Sequence, residues 1–158
     1  MISPTTTPSS GAYTFRQVRE QLQTSLYRYT GGILGYHFTW DTFGGYQGPA
    51  RVLLLSTTPR GSGVITTTPL AFLKDGRDYF VLAFHGGSSL QPTWYLNLKA
   101  NPQAEIQIKT LHQAVTGTIA TTEERGRLFR YLTVRAPNYA RYQQGSSREV
   151  PVALLHTA

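Results

Sequence analysis

The side chains best suited to chemistry gather around two glycine-bearing turns, each following an apolar run. Arg60-Gly61-Ser62-Gly63 comes after Val-Leu-Leu-Leu-Ser-Thr-Thr, and Ala83-Phe84-His85-Gly86-Gly87 comes after a second apolar stretch. Such turns bring backbone N–H groups up to an anionic or planar ligand; in the first, the Ser62 hydroxyl and the Arg60 fork could join them on a phosphate. A plain hairpin turn accounts for the same four residues. His85 adds a group that titrates near neutrality. Further on, Pro137 opens a short helix on which Tyr139 and Tyr142, three residues apart, share a face.

Other chemistries lack their residues. Gly61-Ser62-Gly63 is no nucleophile elbow, because the strand-to-helix context that strains such a serine is missing. The few carboxylates form no pair of the glycosidase kind. His37, His85, His112 and His156 have no metal-ligand spacing, so no metal is expected. With no cysteine there is neither a disulfide framework nor a thiolate nucleophile, which points to an intracellular, cytoplasmic protein.

The elements that must position the two turns are mostly strands. Strand signals run over Val52–Thr57, Val64–Phe72, Asp78–His85, Glu105–Thr110, Gln113–Thr121 and Glu149–Leu155. Asp75-Gly76 marks a tight hairpin, and Ala104, Ile106 and Ile108 alternate against Glu105, Gln107 and Lys109. Pro69 cannot donate to a ladder and belongs at an edge or bulge. Short strands with short turns predict an antiparallel meander closing into a small barrel, mainly β with flanking helices.

Helices fill the gaps. Val18, Leu22, Leu26 and Tyr29 fall at helical spacing and predict a surface helix with one buried stripe, begun by a Thr14–Gln17 capping box and stopped by Gly31-Gly32. Thr93 to Ala100 reads as a short helix ended by Asn101-Pro102. Thr121-Thr122-Glu123-Glu124 caps another, with Leu128, Phe129, Leu132 and Val134 facing inward. Residues 33–50 interleave Tyr36, Phe38, Trp40, Phe43 and Tyr46 with glycines, a composition for a barrel cover or for a substrate lid that would place Trp40 against substrate.

The 158 residues suit one domain over 14–158, behind a Thr/Pro/Ser-rich flexible leader over 1–13 with no signal-peptide pattern. No stretch is apolar enough to span a membrane. The formal charge is +7, from 12 arginines and 3 lysines against 8 acidic residues. The arginines are scattered without a nucleic-acid motif, so an anionic small ligand or plain solubility explains the charge, and nucleic acid is not expected.

Leu26-Tyr27-Arg28 with Thr30-Gly31-Gly32, the Leu-Leu-Leu-Ser-Thr-Thr strand, Pro69-Leu70, Asp75-Gly76, Gly86-Gly87 and Trp-Tyr-Leu-Asn-Leu-Lys-Ala-Asn-Pro form one pattern. With Glu123-Glu124-Arg125, Tyr139, Tyr142, Gln143 and Arg148-Glu149-Val150-Pro151-Val152, it resembles the deazaflavin-dependent nitroreductase family from about Leu26 to Leu155. The resemblance implies a split antiparallel β-barrel of the FMN-binding kind and coenzyme F420 as cofactor. It implies that Arg60, Ser62 and Gly63 hold the cofactor phosphate, that Pro69, Leu70, Ala83, Phe84, His85, Gly86 and Gly87 line the ring, and that Trp94 and Asn97 back it. It further implies that Tyr139 and Tyr142 face a planar substrate and that hydride goes to a quinone, enone or nitro group. Relatives of this barrel commonly pair, so a homodimer is expected.

Two departures leave alternatives open. The family's first turn normally carries cations where this chain has Gly61 and Thr66, and its second turn normally reads Ala-Ser-Lys-Gly-Gly where this chain has Phe84 and His85. Each charge-assisted phosphate contact contributes roughly 1.5 to 3 kcal/mol. The alternatives are a repurposed scaffold acting as a cofactor-independent cyclase or isomerase with His85 as acid/base, a ligand-binding protein, or a barrel that holds FMN.

Overall fold

The computed structural model describes residues 21–22, 24–31, 51–59, 61, 63–83, 90–135, 143–144 and 148–158. Among them lie helices and seven strands: α1 (helical at 21–22 and 24–30), β1 (Val52–Thr57), β2 (Thr66–Ala71), β3 (Leu73–Asp75), β4 (Asp78–Leu82), α2 (Thr93–Ala100), β5 (Gln103–Ile108), β6 (Leu111–Ile119), α3 (Thr122–Arg135) and β7 (Val152–Thr157), with 143–144 helical as well. The leader over 1–13, the Thr14–Gln17 box, the aromatic stretch 33–50 and the helix after Pro137 lie outside the described residues. No described helix is long and apolar enough to cross a membrane.

The seven strands form one antiparallel sheet in the order β2-β1-β5-β6-β7-β4-β3. Its two edge strands, β2 and β3, are separated in the chain by Phe72 alone. Consecutive Cα atoms are about 3.8 Å apart, so the two edges meet within about 7.6 Å and the sheet must curl round on itself. Phe72 turns this corner with its N–H on the Arg51 carbonyl at 3.1 Å and its ring buried edge-on to Tyr79. The expected strand from Val64 to Phe72 forms over Thr66–Ala71, and beyond the corner follows a three-residue strand, Leu73–Asp75, that was not expected. Pro69 lies on edge strand β2, opposite Leu54, as expected of a residue that cannot donate to a ladder.

Alternate residues fill the interior. Leu53 and Leu55 of β1, Tyr79 and Val81 of β4, Ile106 of β5 and Leu155 of β7 belong to one buried cluster, and α2 packs into it with Trp94, Tyr95 and Leu98. Gly117 of β6 makes room for that helix: a Cβ there would stand 2.5 Å from Leu98 Cγ. A second cluster lies on the outer face, where Leu128 and Leu132 of α3 cover Phe80, Val152 and Leu154. Val134, expected inside, is 80% exposed. It follows the buried Leu132 by two residues, which at about 100° per residue carries it to the opposite side of the helix.

The α3 cap is the one read from sequence. Thr121 N–H donates to Glu124 Oε2 at 2.8 Å and Glu124 N–H to Thr121 Oγ1 at 3.3 Å. The Thr121 backbone N–H, with the Thr121 hydroxyl second, lowers the pKa of the Glu124 carboxyl.

α1 inverts its expected stripe. Leu22 and Leu26 are exposed and Tyr29 is 88% exposed, whereas Tyr27 is buried. A polar group decides this: the Tyr27 hydroxyl donates to the Val52 carbonyl and accepts from Lys109 N–H, both at 2.8 Å. Gln107, expected on the solvent side of β5, is buried with it, donating through Nε2 to the Arg28 and Lys109 carbonyls. Cross-strand polar groups staple the outer sheet elsewhere, with His156 between Asp78 at 2.7 Å and Thr118 at 2.8 Å.

Candidate functional site

The first turn leaves the barrel at Thr57, the last residue of β1, whose side chain points inward and is buried. Thr57 Oγ1 accepts from Asn97 Nδ2 of α2 at 3.1 Å, and Asn97 is itself buried. Asn97, expected behind the ring, thus fixes the base of the first turn. Trp94, expected beside it, is buried in the barrel cluster edge-on to Tyr95. Sequence reasoning gave Thr57 no part, since a strand-end threonine carries no signal until the helix residue opposite it is known.

Beyond Thr57 the turn stands open. Gly61 adopts a positive φ of 79°, and a Cβ added to Gly61 or Gly63 would meet nothing within 4 Å among the described residues. The next two residues, Val64 and Ile65, are apolar and exposed. Exposed backbone beside uncovered apolar side chains suits a ligand with an anionic group next to a planar one. Thr66, where the family pattern has a cation, is half-buried opposite Thr57. On the other face of β2, Arg28 Nη2 of α1 donates to Thr67 Oγ1 at 2.8 Å, and Thr67 shares a hydrogen bond with Ser56 at 2.9 Å. Leu70 packs half-buried against the barrel core, with Pro69 half-buried beside it. Arg60 and Ser62 lie outside the described residues.

At the second turn the described residues are its two ends. Ala83 is buried, and its N–H donates to the Pro151 carbonyl at 2.8 Å. The Ala83 and Leu90 carbonyls accept from one atom, Arg148 Nη2, at 3.2 Å each. The charge of Arg148 also reaches the buried Tyr95 phenol, whose pKa is raised by burial and pulled back in part by that guanidinium. Phe84, His85, Gly86, Gly87, Tyr139, Tyr142 and Trp40 lie outside the described residues.

The chain that follows Tyr142 is held by a dense polar set. Gln143 Oε1 accepts from Val150 N–H at 2.8 Å and from Arg125 Nη2, while Gln143 Nε2 donates to the Arg148 carbonyl at 3.0 Å. Arg125 of α3 also donates through Nε to the Val150 carbonyl at 2.8 Å, pairs with Glu149 at 2.7 Å and stacks over Phe129 at 4.2 Å. Burial pulls the Arg125 guanidinium below its ordinary value and Glu149 pulls it back. Gln143 and Arg148 stood in the resemblance pattern without a role; their bonds reach residues 5 to 65 positions away and emerge only from the folded chain.

A seven-stranded antiparallel sheet curled into a half-barrel, with a glycine-bearing turn at one strand end, is the architecture of split-barrel reductases. The family model described as F420H(2)-dependent quinone reductase matches residues 17–157, and the chain belongs to that family. An F420H(2)-dependent quinone reductase of Mycobacterium tuberculosis (strain ATCC 25618 / H37Rv) is 33% identical over 138 residues, covering 85% of this chain and 87% of the relative. Among solved structures, an F420-H2 dependent reductase is 30% identical with a TM-score of 0.61, covering 67% of this chain and 94% of that one. A domain-swapped dimer is 27% identical with a TM-score of 0.63, covering 90% and 99%. The family expected from the sequence, the split barrel, the reductase class and coenzyme F420 as the cofactor of that class are all borne out.

Proposed function

We propose that this chain binds reduced coenzyme F420 in the cleft between the two turns and reduces a quinone. The match to the quinone reductase family over residues 17–157 carries the reading. The open glycines at 61 and 63 beside uncovered Val64 and Ile65 support it, because they suit a phosphate next to a planar ring. When bound, the reduced cofactor supplies a hydride, that is, two electrons and a proton.

The chain's own residues do the rest. Arg60, Ser62 and the N–H groups of Gly61 and Gly63 hold the phosphate. Ala83 to Gly87 line the ring, and the buried Trp94 and the Asn97–Thr57 bond keep the barrel wall behind it fixed. Tyr139 or Tyr142 donates the second proton to the quinone oxygen that gains the electron pair, giving a hydroquinone. Planar enones and nitro compounds, secondary metabolites among them, are further acceptors in this reading, and the place of action is the cytoplasm. A homodimer belongs to it as well: Leu22, Leu26 and Tyr29 leave an exposed apolar stripe on α1, and sedimentation equilibrium returning a monomer mass would remove that part.

The test is anaerobic titration with F420, following its fluorescence, and then oxidation of the reduced cofactor by menadione. Saturable quenching and quinone-dependent oxidation are expected. An unchanged signal at tens of micromolar cofactor would sink the reading. Gly61 and Thr66, standing where the family pattern has cations, favour a second reading, a cofactor-independent cyclase or isomerase with His85 as acid/base. Turnover without cofactor that vanishes in His85→Ala would select it.

A further inference from the structure

Arg148 occupies an unusual crossing point. One nitrogen, Nη2, receives the carbonyls at both ends of the segment from Ala83 to Leu90. Two oxygens each 3.2 Å from one atom lie no more than about 6.4 Å apart, although seven residues in extended form span about 23 Å. The chain therefore leaves the barrel at Ala83 and comes back to the same guanidinium at Leu90. The backbone carbonyl of the same arginine accepts from Gln143, the residue next to Tyr142. Gln143 is in turn fixed by Val150 N–H and by Arg125 of α3.

One residue, through its guanidinium on one side and its own backbone carbonyl on the other, thus joins the ends of the proposed ring-binding turn to the residue that follows the proposed substrate tyrosines. Each of Phe84 and Tyr142 is one peptide unit from a group bonded to Arg148 or to its amide partner. We infer that Arg148, held by Gln143, is a positioning residue that sets the distance between cofactor ring and substrate. The inference rests on the deazaflavin reading above. An arginine suits the task because its planar fork keeps several donors in fixed mutual geometry, whereas an ammonium on a flexible stem does not. A geometric role of this kind acts on the reacting distance, and a misplacement of about 1 Å can cost about 100-fold in rate.

The experiment compares wild type, Arg148→Ala, Arg148→Lys and Gln143→Leu. F420 affinity is read by fluorescence, kcat and KM are read with menadione, and melting temperature is read by calorimetry. In Arg148→Ala, kcat should fall about 100-fold while the cofactor dissociation constant changes much less. Added guanidinium chloride at millimolar concentration should restore rate to Arg148→Ala, where equal sodium chloride does not, and Arg148→Lys should remain slow. Gln143→Leu should show the same split between kcat and binding.

A cofactor-free arm separates this inference from the reading it rests on. Hydrogen exchange of the apo protein should show the Ala83 and Val150 amides losing protection together in Arg148→Ala and regaining it with guanidinium. Wild type that neither binds F420 nor reduces menadione defeats the deazaflavin reading, and with it a role in setting that distance. An active wild type with unchanged kcat in folded Arg148→Ala overturns the positioning role. So does a loss that tracks melting temperature alone without guanidinium rescue, or exchange that rises at only one of the two amides.

Discussion

The Asn97–Thr57 hydrogen bond makes a sharp prediction about how the first turn is held. Thr57→Val keeps the side-chain shape and removes the hydroxyl, leaving Asn97 Nδ2 without its acceptor in a buried site. Losing one partner of a buried pair costs about 1 to 3 kcal/mol, the desolvation of the group left behind. For a domain of this size each kcal/mol shifts the melting temperature by about 2 to 4 °C, so a fall of about 2 to 12 °C is expected. Asn97→Leu costs less, because it leaves unfilled only an accepting lone pair of the Thr57 hydroxyl, whose O–H Asn97 does not engage, whereas Thr57→Val strands an amide donor. The double variant Thr57→Val/Asn97→Leu replaces both polar groups and should recover at least about 1 kcal/mol relative to the sum of the single changes. Urea denaturation of the four proteins closes the cycle. A Thr57→Val protein within about 0.5 kcal/mol of wild type, with additive single effects, would refute the claim that this bond anchors α2 to the end of β1.

Gly117→Ala drives a methyl group into Leu98, which is buried, and should destabilise by about 1 to 3 kcal/mol in urea; adding Leu98→Ala should cost less than its effect in the wild-type background. Tyr27→Phe removes two hydrogen bonds that dock α1 and should cost about 1 to 3 kcal/mol. Burial raises the Tyr27 pKa above its ordinary 10.0, although the Lys109 N–H pulls it down in part. Folding therefore favours the neutral phenol: its stabilisation is complete below pH 10 and is lost as pH rises through the folded value. Melting temperature against pH should fall less steeply above pH 10 in Tyr27→Phe than in wild type.

Local rules made much of the scaffold legible. Strand β1 and helix α2 lie where alternation, Pro92 and Asn101-Pro102 predict them, and the Thr121–Glu124 box caps α3 as read. These signals act over a few residues, so a single chain displays them. The α1 stripe was misread because its apolar residues have helical spacing yet the helix docks through a hydroxyl. That preference exists only once Val52 and Lys109 are brought to the same place. Strand β3, just beyond Phe72, was equally silent, since three residues that join the opposite edge of a curled sheet carry no alternation long enough to read.

By itself the sequence determined the barrel, the family and the residue types at both turns, because period, turn chemistry and motif are properties of adjacent residues. Only the tertiary structure decided which groups fix those turns in space. Thr57 meets Asn97 across 40 positions and Arg148 meets Ala83 across 65. A donor and an acceptor that far apart become a pair only when the curled sheet brings them together and removes them from water.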